Sequence, residues 1–156
     1  MGGGLSGTGI NNLVYGNASS AWGNSNFEGK CQGGGINGGG MNNVVMSNAI
    51  YATGGTTELK GCGVSGSEKN SIIWGNSGSP EQVSGSATYS CISGGFPGQG
   101  NISSSPFFTS GPLGPYYLSQ TAAGQSQTSP CVDAGDPATP LFGGTTRTDH
   151  VPDSGI

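Results

Sequence analysis

Eight acidic side chains carry the acid–base chemistry this sequence can offer, and their spacing limits it. Hydrolysis of a glycosidic bond needs two carboxylates about 5–10 Å apart. Glu28, Glu58, Glu68 and Glu81 are scattered; only Asp133 with Asp136, and Asp149 with Asp153, lie close in sequence. The run Pro130-Cys131-Val132-Asp133-Ala134-Gly135-Asp136 reads as a turn in which the aspartates cap backbone amides. Calcium is a milder option. Asp133, Asp136, Asp149 and Asp153, converging with backbone carbonyls, would supply oxygen ligands, although no EF-hand or Gly-Gly-x-Gly-x-Asp spacing is present. His150 is the single histidine and reads as a surface residue. No Gly-x-Ser-x-Gly elbow stands in a strand–turn–helix context, and the run Gly38-Gly39-Gly40 lacks the Lys-Ser/Thr of a phosphate loop.

Four cysteines, Cys31, Cys62, Cys91 and Cys131, form no CxxC or His-paired spacing, so zinc is not expected. Disulfides in an oxidising compartment are the economical account, with free buried thiols as the alternative. Asn17-Ala18-Ser19 and Asn101-Ile102-Ser103 match the glycosylation sequon. The net charge of −4, with only Lys30, Lys60, Lys69 and Arg147 positive, excludes a nucleic-acid partner. No stretch approaches the roughly 18 apolar residues of a membrane span. The opening Met-Gly-Gly-Gly has no signal-peptide layout and begins as if in mid-repeat, so a processed or excised segment is expected.

The elements that must position these groups come from an unusual composition. Only 31% of the 156 residues are hydrophobic and 8% are charged, whereas 33 are glycine. A conventional two-layer core would be thin. Twelve aromatics (5 Tyr, 5 Phe, 2 Trp) and low net charge nevertheless favour an ordered chain over a disordered one.

Self-comparison supplies the organisation. Gly2-Gly3-Gly4-Leu5 recurs as Gly33-Gly34-Gly35-Ile36 and as Gly61-Cys62-Gly63-Val64, at offsets of 31 and 28. Asn12-Leu13-Val14-Tyr15-Gly16-Asn17 recurs as Asn43-Val44-Val45-Met46-Ser47-Asn48 and as Ser71-Ile72-Ile73-Trp74-Gly75-Asn76, at the same two offsets. Two blocks holding one irregular register make a repeat. Each unit holds a single short β-branched run bounded by Gly, Asn and Ser, with no helical period. One such strand cannot bury itself, but stacked copies about 4.8 Å apart bury a continuous column. Asn17, Asn48 and Asn76 share one position after the strand, so a structural ladder of side-chain amides is expected there.

Asn70-Ser71-Ile72-Ile73-Trp74-Gly75-Asn76, together with the Gly-Gly-Gly-Ile block, resembles the parallel β-helix repeat family of bacterial cell-surface and secreted proteins, polymorphic-outer-membrane-protein-like chains included. Tyr89-Ser90-Cys91-Ile92, Gly100-Asn101-Ile102, Ser105-Pro106-Phe107-Phe108, Tyr116-Tyr117-Leu118-Ser119, Ser129 to Asp136 and Arg147-Thr148-Asp149 follow in the order seen near the end of such regions. The likeness covers nearly the whole chain, although a further short strand is expected after Ile156. It implies an all-β, right-handed parallel β-helix of about five coils with a looped C-terminal layer, and a secreted or cell-surface place. A single domain is expected, with regular coils over 1–79, an irregular coil over 80–110 and the looped layer over 111–156. Ser20–Gln32 and Tyr51–Lys60 read as loops. Disulfides Cys31–Cys62 and Cys91–Cys131 would staple adjacent coils.

The family mixes adhesins, surface proteins and carbohydrate-active enzymes, so function stays open among three classes. The first is a non-catalytic structural or adhesive module that meets copies of itself or an adjoining solenoid end to end, building filaments. The second is polysaccharide binding on an exposed strand face carrying Tyr15, Met46 and Trp74. The third is a lyase or glycosidase; no acidic cluster and Lys or Arg base share a repeat position to support it. On the first parity Val14, Val45 and Ile73 point inward, and Leu13, Val44, Ile72 and the aromatic row point out. The opposite parity is equally compatible with the pattern.

Overall fold

The computed structural model describes residues 3–55, 57–112 and 114–139. The described residues are all-β, with a single short 3-10 turn at Thr121–Ala123 and no helix able to cross a membrane. The candidate residues Asp149, His150 and Asp153 lie outside the described residues.

The first 31-residue unit contains four strands, β1 (Leu5–Ile10), β2 (Leu13–Tyr15), β3 (Ala18–Gly23) and β4 (Gly29–Gln32). The second repeats them as β5 (Ile36–Met41), β6 (Val44–Met46), β7 (Ala49–Gly54) and β8 (Thr57–Lys60). The third keeps β9 (Val64–Lys69) and β10 (Ile72–Trp74), and the fourth keeps β11 (Val83–Thr88) and β12 (Cys91–Ile92). Equivalent strands pair in parallel, forming separate short sheets ordered β1-β5-β9-β11, β2-β6-β10-β12, β3-β7 and β4-β8. A hairpin of β13 (Phe108–Gly111) and β14 (Gly114–Leu118) is antiparallel.

Two of these sheets correct the sequence reading. Ser20–Gln32 and Tyr51–Lys60 carry strands β3, β4, β7 and β8 where loops were expected. Their Ser-, Ala- and Gly-rich stretches have no apolar alternation to reveal them. What makes them strands is in-register pairing with the same segment one unit later, Ala18 with Ala49 and Cys31 with Leu59.

The repeat tapers along the stack. Successive units are offset by 31, 28, then 19 residues (Val64 to Val83), and finally 11 (Cys91 to Ile102, a lone parallel bridge). The step from 28 to 19 residues removes the β3- and β4-type strands together and keeps the two sheets that enclose the core.

That core is made of stacked columns. Leu5, Ile36, Val64 and Val83 align in one sheet; Val14, Val45, Ile73 and Ile92 align in the next, and all eight pack together. Phe96 packs against this cluster from the loop after β12. A second cluster, Cys31, Ile50 and Cys62, lies beneath β3, β4, β7 and β8.

Corners between strands use left-handed backbone. Asn11, Asn42, Asn70 and Tyr89 occupy it before one sheet, with φ between 49° and 57°. Gly16, Ser47, Gly75 and Gly94 occupy it after that sheet. Glycine is obligatory where backbones close up: a Cβ on Gly66 would lie 1.3 Å from the Gly38 carbonyl oxygen.

Candidate functional site

The column residues immediately after each corner form two polar ladders. In the first, Asn17 Nδ2 donates to Asn48 Oδ1 (2.9 Å) and Asn48 Nδ2 to Asn76 Oδ1 (2.9 Å). Each lower amide also reaches back to a carbonyl of the preceding unit, Asn48 to Val14 and Asn76 to Val45. Gln82 ends this ladder by accepting from Asn76 Nδ2 at 2.9 Å and donating to its carbonyl at 2.8 Å.

The second ladder was missed in the sequence, although Asn12, Asn43 and Ser71 recur at the same offsets. It runs Asn12, Asn43, Ser71, Ser90, Asn101, each side chain accepting the backbone N–H of the rung before it. At Ser71 the shorter side chain leaves amide-sized space, and Glu68 fills it. Its carboxylate accepts from Ser71 Oγ (2.7 Å) and Asn43 Nδ2 (3.2 Å) while only 3% exposed. Burial pushes the Glu68 carboxyl above its ordinary range, opposed by the Ser71 and Asn43 hydrogen bonds. It is a structural rung. Among the described residues no second carboxylate hydrogen-bonds within this network.

Three other described acids form ion pairs. Glu58 sits between Lys30 (3.0 Å) and Lys60, and Lys30 also reaches Glu28 at 3.7 Å. The Lys60 and Lys30 hydrogen bonds hold the Glu58 carboxyl low. Asp136 meets Lys69 Nζ at 2.6 Å, which lowers its carboxyl; its backbone N–H donates to Asn70 Oδ1 at 2.8 Å. Asp133 is exposed, in left-handed backbone. Among the described residues no three His, Cys, Asp or Glu side chains form a metal-holding group.

Comparison of this chain with family profiles, curated proteins and solved structures gives no match. Its surfaces are therefore read from geometry alone.

Inward parity holds for Val14, Val45 and Ile73, which are buried in the core cluster. The row expected to be open is mostly covered by the chain itself. Ile72 is buried, while Val44 and Trp74 are half-buried against Cys91, Cys131, Ile102, Phe108 and Leu118. Met46 is half-buried. Tyr15 is exposed, with its ring 4.9 Å from that of Tyr116. The C-terminal segment therefore lies along the outer face of the β2-β6-β10-β12 sheet, which one of the two parities left to solvent. Its Pro and polar residues hid the few apolar side chains that dock. Where the hairpin folds against the following turn, a shallow depression of about 290 Å³ is lined by Phe107, Thr109, Ser119 and Gln125 but by no acid or base.

Further exposed aromatic side chains lie elsewhere. Trp22 on β3 (61% exposed) and Tyr51 on β7 (53%) occupy same-face positions of their paired strands, two residues apart in register.

The ends of the stack differ. β1, β2, β3 and β4 are all edge strands, so the first unit presents a ring of unpaired backbone among the described residues. Asn12 and Asn17 pass their amide hydrogens to the next unit or their own backbone, and no described residue donates to their Oδ1 atoms. The opposite end is more covered among the described residues, although β7, β8 and β11 are also terminal strands of their sheets. Ile102 bridges Cys91, Ser77 bridges Ala49, Gln82 and Asn101 terminate the ladders, and Phe96 plugs the core.

Proposed function

We propose that this chain is a non-catalytic structural module, a right-handed parallel β-helix whose first coil is an assembly surface. The observation that carries the reading is the asymmetry of the ends. A native edge strand is normally blunted by charge, proline or cover. β1, β2 and β3 contain no charged residue and no proline, and their coil offers ladder acceptors at Asn12 and Asn17. Such an edge suits another coil of the same spacing, which supplies backbone partners along each sheet.

The natural occupant for the isolated chain is the first coil of a second copy. Because the far end is tapered and capped, it offers no matching ring. Head-to-head pairing closes as a two-fold dimer, and open-ended filament growth lacks its second surface. A secreted or cell-surface place fits a chain this poor in charge and rich in short strands.

Light scattering on the purified chain checks the surface. The expected dimer becomes a monomer in Ile10→Lys/Leu13→Lys, since both side chains are about half exposed at the open coil and their replacement leaves the core intact. A variant that dimerises as well as the parent chain would contradict the assignment.

A second reading, polysaccharide binding, is favoured by Trp22 and Tyr51. Flat exposed rings beside the hydroxyls of Ser20 and Thr53 suit sugar faces better than Tyr15 and Trp74, whose rings are engaged by the C-terminal segment.

A further inference from the structure

The segment after Ile102 lies over the outer face of the β2-β6-β10-β12 sheet and is held there by a small number of contacts. Tyr116 meets Tyr15, Asp136 meets Lys69, and Asn70 Nδ2 donates to Thr139 Oγ1 at 3.1 Å. At the centre of this contact two cysteines converge from elements 40 residues apart (131 − 91). Cys91 lies on β12 and Cys131 in the turn after Pro130; both are buried in one cluster with Ile72.

We infer that Cys91 and Cys131 are a disulfide-forming pair that covalently closes the C-terminal segment over this sheet, whereas Cys31 and Cys62 remain thiols. The second pair shares a cluster but not a register. Cys31 stacks on Leu59, three residues before Cys62.

The chemistry needs a two-electron oxidant, and a small disulfide such as glutathione disulfide supplies it. Cys131, on the segment that seats last, attacks as the thiolate. It forms a mixed disulfide and releases one glutathione thiolate; Cys91, losing its proton to solvent, then attacks the Cys131 sulfur and expels the second. Both cysteines are oxidised and one glutathione disulfide becomes two glutathione thiols. Burial of both sulfurs places the reaction in folding, before the segment seats.

The full chain, reduced and unfolded, is refolded in glutathione/glutathione-disulfide buffer, alkylated, and mapped by peptide mass. Two alkylated cysteines, Cys31 and Cys62, with a Cys91–Cys131 linked peptide are expected. The Cys31→Ala/Cys62→Ala variant still forms the link. Adding reductant lowers the thermal midpoint of the oxidised protein by several degrees, and has no such effect on Cys131→Ala. Four alkylated cysteines, a link through Cys31 or Cys62, or an unchanged midpoint on reduction would overturn the assignment.

Discussion

At the scale of single residues, the fold rests on side chains that stand in for missing backbone partners. Asn48 is the clearest. It is fully buried, accepts from the Asn17 backbone N–H (3.0 Å) and side chain, and donates to Val14 O (3.0 Å) and Asn76 Oδ1. Asn48→Ala strands several of these groups away from water, at about 1–3 kcal/mol for each one left unsatisfied. A loss of at least about 3 kcal/mol in denaturant unfolding is expected, and a loss below about 1 kcal/mol would show that the ladder is decorative. Glu68 is a rung that titrates. Its folded carboxyl is raised by burial, so the native chain holds the proton more tightly than the unfolded one. Its contribution is fully present below the unfolded value, near 4.5, and is lost as pH rises through the higher folded value. Glu58 and Asp136, both lowered, run the other way and lose their contribution as pH falls. Glu68→Gln should therefore gain stability over the parent chain as pH rises above about 4.5, and a difference between the two that stays constant with pH would refute the burial account.

Elements show why only part of this was legible. The β2, β6 and β10 strands announce themselves because Val14, Val45 and Ile73 sit in apolar runs that repeat at fixed offsets. The amide ladder followed from the same register. β3 and β7 gave no comparable signal: Ala18-Ser19-Ser20-Ala21 and Ala49-Ile50-Tyr51-Ala52 become strands only because one lies on the other. The covering of the outer face was equally hidden. Leu118, Phe108 and Cys131 come from a stretch whose local sequence is proline and turn, and tertiary contact alone brings them to Ile72. Glu68 looked like one scattered acid among four, since its role depends on Asn43 from the preceding unit. The aromatic surface moved with these elements, from Tyr15 and Trp74 to Trp22 and Tyr51. If that face binds polysaccharide, titration with soluble glycans should change a fluorescence signal that Trp22→Phe removes and Trp74→Phe retains. The reverse pattern would return the site to the sheet beneath the C-terminal segment.

On the scale of the whole molecule, tapering is the organising fact. Units shorten from 31 to 28, 19 and 11 residues, and the step to 19 discards two of the four strands while Phe96, Gln82 and Asn101 cover what remains. The wide end keeps four edges and no guarding charge on three of them. Among the described residues the wide end offers a full ring of edges and the tapered end does not, and that difference is what separates a pair from a fibre. Sedimentation velocity over a wide concentration series tests this most directly. The account predicts a monomer that passes to a dimer and stops there. A monomer at every concentration would contradict the open coil as an assembly surface, and filaments would contradict the closed end.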